Sequence, residues 1–175
     1  MESLGDRKVL YDRSEIQTRV EELGEEISKD YRDKDLLVVS LLRGSFVFAA
    51  DLVREINVPL EIDFMTTGSY GHGKVSSGEV EIIHELHTDI RDKDVLIVDD
   101  IIDSGRTLEV VKNLLLEKKP KSIKICTMLD KPSRRTVNIS ADYVGFSIDD
   151  LFIVGYGLNY ENHYRNIPYI FTFDN

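Results

Sequence analysis

The chain is poor in cysteine, with Cys126 as the single example among 175 residues. Cys126 lies in the apolar stretch 123–129, where a free cysteine is usually a buried structural thiol. One thiol excludes a disulfide framework and a zinc site built from several thiolates. No apolar run approaches the roughly 18 residues of a membrane-spanning helix, and residues 1–7 lack the apolar core of a signal peptide. We therefore expect a cytoplasmic enzyme or binding protein.

Basic residues are also scarce relative to acidic ones. The chain has 22 lysines and arginines against 32 aspartates and glutamates, which gives a net charge of −10. Such a charge opposes binding to nucleic acid or to an anionic membrane, since both attract clustered positive side chains. We therefore predict no nucleic-acid or membrane partner, and any anionic ligand must be held by a local site.

The spacing of apolar residues predicts alternating strands and helices. Continuous apolar runs typical of buried parallel strands occupy residues 36–42, 95–98 and 123–129, and shorter strands are predicted near 58–64, 80–86, 143–146, 152–154 and 167–173. Ser14 and Gln17 have the spacing of a capping box. Helical faces are predicted for Ile16, Val20, Leu23 and Ile27, for Phe46, Ala49, Ala50 and Val53, and for Leu108, Val111, Leu114 and Leu115. This α/β pattern predicts one domain over residues 1–175, with a central, mostly parallel sheet flanked by helices.

Residues 67–79 lie between two predicted strands and contain four glycines but no apolar period, so we predict a mobile loop. Residues 68–74 fit the start of a nucleotide-binding P-loop, but Val75 stands where a hydroxyl residue is required and no helix follows. His84 and His87 lie in strand-like sequence and would face opposite sides, which argues against a zinc site.

The segment 95–107 carries the most informative motif. A buried strand ends in Asp99 and Asp100, and the turn Ser104-Gly105-Arg106-Thr107 then opens a helix. Hydroxyls, a glycine that allows close backbone approach, and the free amides of a helix start all suit a phosphate. The two carboxylates would repel that phosphate, so we expect them to meet ribose hydroxyls or magnesium at another part of the same ligand. A single acid such as Asp103 would be interpreted more simply as a helix cap, but three acids at the end of a parallel strand favour a ligand site.

This motif resembles the phosphoribosyl-pyrophosphate (PRPP) signature of type I phosphoribosyltransferases. Four further segments follow the order seen in hypoxanthine-guanine phosphoribosyltransferases: residues 41–46 (Leu-Leu-Arg-Gly-Ser-Phe), the loop with Ser69 and Tyr70, residues 129–132 (Leu-Asp-Lys-Pro) and residues 152–157 (Phe-Ile-Val-Gly-Tyr-Gly). The resemblance covers the chain from about Tyr11 to Phe171.

The resemblance implies the type I phosphoribosyltransferase fold, in which the N- and C-terminal segments add a small hood to the α/β sheet. It implies a reaction of purine salvage, in which the 5-phosphoribosyl group of PRPP passes to hypoxanthine or guanine and gives IMP or GMP plus pyrophosphate. Mg²⁺ is the implied cofactor, and a homodimer or homotetramer is the implied assembly.

The resemblance also implies roles for residues around the sugar phosphate. Asp99 and Asp100 match the pair that holds the ribose hydroxyls and magnesium, and Asp103 matches the proposed general base facing purine N7. The 5′-phosphate loop corresponds to Ser104, Gly105, Arg106 and Thr107. The pyrophosphate contacts correspond to Arg43, Gly44 and Arg165, with a cis peptide bond between Leu42 and Arg43.

The remaining implied roles concern the base, the lid and a second metal site. Lys131 matches the donor to the exocyclic oxygen of a 6-oxopurine, which adenine lacks. Phe152 matches the ring that stacks on the base, Ile153 presents backbone groups to the base edge, and Ser69 and Tyr70 match a lid. The family usually has aspartate where this chain has Asn159, which implies a weaker or water-mediated second metal site.

Two alternatives remain open at the level of sequence. One is a phosphoribosyltransferase for xanthine or another base, because Lys131 does not separate the 6-oxopurines from one another. The other is a non-catalytic RNA-binding regulator of the same fold. The net charge of −10 and the lack of a basic cluster disfavour that regulator.

Overall fold

A six-stranded sheet forms the centre of the computed structural model, which describes residues 6–69 and 79–173. Its strands lie in the order β4-β3-β2-β5-β6-β7, with bounds β2 Leu36–Leu42, β3 Leu60–Ser69, β4 Val80–His84, β5 Asp94–Ile102, β6 Ser122–Asp130 and β7 Tyr143–Ser147. All neighbours are parallel except β4, which runs antiparallel to β3. The predicted central, mostly parallel sheet is therefore confirmed. Tyr70 and most of the loop predicted for 67–79 lie outside the described residues.

A second, antiparallel sheet joins the two ends of the described chain. Strand β1 (Arg7–Tyr11) pairs with β9 (Ile170–Phe173), and β9 pairs with β8 (Ile153–Val154). This sheet is the hood that the resemblance implied, and it places β8 and the residues before it beside the main sheet. A short 3₁₀ helix, Pro132–Arg134, follows β6.

Helices cover both faces of the main sheet. Helices α1 (Arg13–Asp30) and α2 (Phe46–Glu55) pack on one face, and α3 (Arg106–Glu117) packs on the other. Alternate residues of β2 and β5 enter the two cores: Val38 and Val98 meet α1 and α2, whereas Val39 and Ile97 meet α3. Burial on both faces explains why these strands are continuous apolar runs. Cys126 is fully buried in the first core, as expected.

Two predicted helix details are wrong. The capping box of α1 is formed by Asp12 and Glu15, each of which accepts the other's backbone N–H, rather than by Ser14 and Gln17. In α2 the buried face is Phe48, Ala49 and Leu52. Of the predicted face only Ala49 is buried, whereas Val53 is partly buried and Phe46 and Ala50 are exposed. Ser45 precedes α2 and is buried against β2, where its hydroxyl lies 2.7 Å from that of Ser40.

Strand β3 leaves apolar side chains uncovered. Its predicted alternation is present, but Ile62 and Phe64 are 40% and 42% exposed. Asp63, on the opposite face, accepts backbone N–H groups from Phe64, His87 and Thr88. Ile83 of the neighbouring β4 is also about half exposed. An exposed apolar strip of this kind is typical of a surface that another protein covers.

Within residues 6–69 and 79–173, no helix combines the length and the apolar character that crossing a membrane requires.

Candidate active site

The carboxyl ends of β2 and β5 and the turn into α3 enclose a cavity of about 280 Å³. Its lining comprises residues 41–44, 67, 99–105, 107 and 108. Ligands of open parallel α/β sheets usually bind at this edge. The cavity brings together eight residues that the sequence singled out: Arg43, Gly44, Asp99, Asp100, Asp103, Ser104, Gly105 and Thr107.

Asp99 and Asp100 lie inside the last part of β5, which continues to Ile102 rather than ending at the acids. The Asp100 amide donates to Oδ1 of Asp99 at 2.9 Å, and the Ile101 amide donates to Oδ1 of Asp100 at 2.8 Å. Burial and the adjacent Asp100 charge raise the pKa of Asp99 well above its usual value. Burial also raises the pKa of Asp100, although the Arg165 charge acts against that rise. A bound cation or hydroxyl donors would therefore stabilise the ionised form of this pair.

The turn before α3 offers free backbone donors. Gly105 precedes the first helical residue with φ +87°, a left-handed conformation that favours glycine, and it has no side chain to cap the helix. Oγ of Ser104 accepts the Arg106 N–H at 3.3 Å. A Cβ at Gly105 would also lie 2.5 Å from Cγ2 of Ile139. The other amides of the first turn and the positive end of the helix dipole would favour an anion at the mouth of the cavity. Arg106, whose Nε donates to Oγ1 of Thr136, lies outside the cavity lining.

Three backbone segments meet beside Asp100 because glycines allow it. The Leu42–Arg43 peptide bond is cis, as the resemblance implied. A Cβ on Gly44 would lie 1.8 Å from Oδ2 of Asp100, so only glycine fits against that carboxylate. Gly157, with φ +97°, packs in turn against the carbonyl of Gly44, where a Cβ would come within 2.1 Å.

Arg165 and Arg43 place two guanidinium groups near the same acid. Nη1 of Arg165 donates to the Gly157 carbonyl at 2.7 Å. Burial and repulsion by Arg43 lower the pKa of Arg165, while attraction by Asp100 opposes that effect. Two cations held close to one another favour a polyanionic ligand between them.

The segment after β6 is joined to the segment after β5. The Lys131 amide donates to the Ile102 carbonyl at 2.9 Å, and the Thr136 amide donates to the Ser104 carbonyl at 3.0 Å. Lys131 is buried, and its Nζ lies 3.8 Å from Oδ1 of Asp150. Asp150 is the counter-ion that offsets the cost of burying this ammonium group.

Phe152 and Ile153 lie at the start of the hood. Phe152 is 57% exposed, which suits a ring that covers a ligand better than one that packs in a core. Its ring meets the edge of Tyr160, with centroids 5.7 Å apart. Ile153 is buried in β8, so only its backbone groups can reach a ligand.

Several charged residues beside the cavity were missed by the sequence reasoning. Nε of Arg134 lies 3.3 Å from Oδ1 of Asp103, and Nη1 of Arg135 donates to the Asp103 carbonyl at 3.1 Å. Arg135 also forms a mostly buried ion pair with Asp130. The only sequence signal for these residues is their closeness to Lys131, because the contacts join segments about thirty residues apart.

Asn159 and Ser69, which the sequence singled out, do not line the cavity. Asn159 follows the tight turn Gly155 to Leu158 and is not part of the lining. Ser69 ends β3, and Tyr70 lies outside the described residues. A larger cavity of about 340 Å³ between α1, α2 and residues 156–168 shares only Arg165 with the predicted site residues. We take the smaller cavity as the candidate active site because Asp99, Asp100 and the turn before α3 line it.

Fold and cavity together define an α/β protein with a cavity at the carboxyl ends of its strands, lined by an acid pair and by the turn before α3. A family model for the phosphoribosyl transferase domain matches residues 7–161. The chain therefore belongs to the phosphoribosyltransferase family.

Individual relatives show which phosphoribosyltransferases the chain is similar to. The chain is 56% identical over 165 residues to the hypoxanthine phosphoribosyltransferase of Buchnera aphidicola subsp. Schizaphis graminum, with 93% of each chain covered. It is 52% identical over 163 residues to the hypoxanthine-guanine phosphoribosyltransferase of Bacillus subtilis, covering 93% of this chain and 91% of that protein. A crystal structure of a hypoxanthine phosphoribosyltransferase from Staphylococcus aureus matches with a TM-score of 0.91 and 47% identity, over 95% of this chain and 91% of the other.

Proposed function

We propose that this protein transfers the 5-phosphoribosyl group of PRPP to hypoxanthine or guanine, giving IMP or GMP and pyrophosphate. The observation that carries the proposal is similarity above 50% identity, over more than 90% of the chain, to proteins named for this activity. The site supports it independently, since the turn before α3, the acid pair Asp99 and Asp100, and the arginines Arg43 and Arg165 lie at one edge of the sheet.

The phosphate groups of PRPP would bind at two places. The 5′-phosphate would accept hydrogen bonds from the amides and hydroxyls of Ser104, Gly105, Arg106 and Thr107 at the start of α3. The pyrophosphate would lie against Arg43, Gly44 and Arg165, where its charge relieves the repulsion between the two guanidinium groups.

The ribose and Mg²⁺ would share the acid pair. Asp99 and Asp100 suit both, because burial raises the pKa of each carboxyl and a nearby cation or hydroxyl donor would favour its ionised form. Among the described residues there is no cluster of three or more metal-ligating side chains. This fits Mg²⁺, which typically takes one or two carboxylates and completes its shell with substrate oxygens and water. When bound at Asp99 and Asp100, Mg²⁺ would neutralise negative charge on the pyrophosphate. Asn159 would belong to a second, weaker or water-mediated metal site.

The chemical step is a displacement at C1′ of the ribose. Purine N9 supplies the electron pair for the new bond to C1′, and the bond from C1′ to the pyrophosphate oxygen breaks. Asp103 accepts the N7 proton, which leaves the product purine neutral. The negative charges of Asp99 and Asp100 stabilise the positive charge that develops on the ribose ring.

The base would be chosen by groups around the hood. Lys131 has only donors, so it matches the exocyclic oxygen of hypoxanthine or guanine and not the amino group of adenine. Phe152 would stack on the ring, and the backbone of Ile153 would meet its edge. Ser69 and Tyr70 would belong to a lid that excludes water from the reacting ribose.

The proposed function also concerns the oligomeric state of the protein and the compartment in which it acts. We propose a single phosphoribosyltransferase domain that forms a homodimer or homotetramer, supported by the exposed strip of Ile62, Phe64 and Ile83 on β3 and β4. The reaction belongs in the cytoplasm, because PRPP and the nucleotide products are multiply charged and do not cross membranes unaided.

Steady-state assays with PRPP, Mg²⁺ and each of hypoxanthine, guanine, xanthine and adenine test this function. We expect pyrophosphate release with hypoxanthine or guanine and little with adenine. Asp103→Asn keeps the size of the side chain but cannot accept the proton, so it should lower kcat by about 10²–10⁴-fold. Equal turnover of adenine and hypoxanthine, or RNA binding at physiological salt without turnover, would contradict the proposal.

A further inference from the structure

A row of four charged side chains with alternating sign joins Asp103, the proposed proton acceptor, to Lys131, the proposed hydrogen-bond donor to the exocyclic oxygen of the base. Nε of Arg134 lies 3.3 Å from Oδ1 of Asp103, and Nη1 of Arg134 lies 3.5 Å from Oδ2 of Asp150. The other oxygen of Asp150, Oδ1, lies 3.8 Å from Nζ of Lys131. One guanidinium therefore bridges two carboxylates, and one carboxylate bridges two cations.

We propose that Arg134 and Asp150 are positioning residues that hold Asp103 and Lys131 at the spacing a 6-oxopurine requires. The inference rests on the proposed function. N7 and O6 project from the same edge of a 6-oxopurine, so the two groups that bind them must lie side by side. The bridge through Arg134 and Asp150 supplies that constraint across two segments that are distant in sequence.

Asp150 acts on Lys131. The Lys131 side chain is 9% exposed, and among the described residues only Asp150 supplies a carboxylate within 4.0 Å of its ammonium group. A lysine ends in a point charge on a flexible stem, so a fixed counter-ion decides where the ammonium group points. The loop that carries Asp150 is itself anchored, since the Ile148 amide donates to the Asp130 carbonyl at 2.8 Å.

Arg134 acts on Asp103 and ties it to the same turn as Lys131. The Arg134 amide donates to the Lys131 carbonyl at 3.1 Å within the 3₁₀ turn Pro132–Arg134, so the two cations belong to one rigid element. Asp103 lies on the exposed side of the turn before α3, where its carboxylate can rotate. A planar guanidinium held between two carboxylates limits that rotation.

The exposure of these side chains separates a positioning role from a structural one. Arg134, Asp150 and Asp103 are each about half exposed, and ion pairs at that exposure contribute little to folding stability. Removing Arg134 or Asp150 should therefore leave the fold intact. Its effect should instead fall on the binding of the base.

Steady-state kinetics of Arg134→Gln, Asp150→Asn and the double variant test the proposal, with Arg54→Gln as the matched surface control. Arg54 forms a similar exposed pair with Asp51 on α2. We expect the KM for hypoxanthine to rise about tenfold in each single variant while the KM for PRPP stays within twofold. The double variant should lose less than the product of the single losses, because both substitutions break one bridge. Arg54→Gln should match the wild type.

Unsubstituted purine, which lacks O6, distinguishes the Lys131 arm. Asp150→Asn should raise the KM for hypoxanthine by a larger factor than the inhibition constant of purine, assayed as a competitive inhibitor, because only hypoxanthine uses Lys131 as well as Asp103. Equal losses for both bases, an equal rise in the KM for PRPP, or additive losses in the double variant would overturn the proposal. A wild-type protein inactive with every base would instead contradict the proposed function, whereas an active wild type with unaltered variants would contradict only this inference.

Discussion

Replacing Gly44 by alanine should damage the site without unfolding the protein. The new Cβ would lie 1.8 Å from Oδ2 of Asp100, whereas ordinary contact begins at 3.4 Å, so the carboxylate must move by about 1.6 Å. A misplacement of about 1 Å in a reacting geometry costs about 10²-fold in rate. We therefore expect kcat/KM for PRPP to fall by about 10²-fold, which corresponds to about 2.7 kcal/mol of transition-state stabilisation.

The control for Gly44→Ala is an equally crowded glycine far from the cavity. A Cβ on Gly24 in α1 would lie 2.5 Å from Cβ of Glu55 in α2, so Gly24→Ala should lower the free energy of unfolding by about 1–3 kcal/mol. Its KM for PRPP should not change. Thermal unfolding and steady-state kinetics of both variants separate the two effects. Gly44→Ala with unchanged kcat/KM would refute the reasoning that the glycine exists to accommodate Asp100.

Three further changes probe the metal site, the sheet and the exposed strip. Asn159→Asp adds a negative charge to the proposed second metal site and should lower the Mg²⁺ concentration for half-maximal rate. Burial alone would raise the pKa of Asp63, but N–H groups from Thr88, Phe64 and His87 lower it below its ordinary value. Asp63→Asn should therefore reduce the free energy of unfolding at pH 7 by about 2 kcal/mol. That difference should close below about pH 4, because stability from a lowered acid pKa is lost on protonation. Phe64→Lys places a charge in the apolar strip and should shift the protein toward monomer in sedimentation velocity.

Each of these three predictions has a result that would contradict it. An unchanged or higher Mg²⁺ requirement in Asn159→Asp would remove Asn159 from the metal site. A stability difference for Asp63→Asn that is the same at pH 3 and pH 7, measured by denaturant unfolding, would mean that the charge of Asp63 is not what its N–H partners stabilise. A Phe64→Lys protein with the wild-type sedimentation coefficient would place the subunit interface elsewhere.

The order of strands and helices was predictable because burial leaves a direct pattern in the sequence. Strands β2 and β5 are buried on both faces around the runs 36–39 and 95–98, which contain only apolar residues. Helix α2 shows where that pattern fails. Its apolar residues surround most of the helix, so periodicity alone did not identify the buried face.

The candidate site was predictable where its chemistry is local. The acid pair and the turn at Gly105 occupy a few consecutive residues, and their spacing indicates a ligand site directly. The contact of Gly44 with Asp100 and the bridge through Arg134 and Asp150 join segments that meet only in the folded chain. No spacing in the sequence records such contacts.

The most direct test of the central claim is a crystal structure of the protein with IMP and Mg²⁺. The account predicts the 5′-phosphate at hydrogen-bonding distance, about 3 Å, from the amides of residues 104–107, with the ribose beside Asp99 and Asp100. Nucleotide bound in the cavity between α1 and α2, with the turn before α3 left empty, would contradict it.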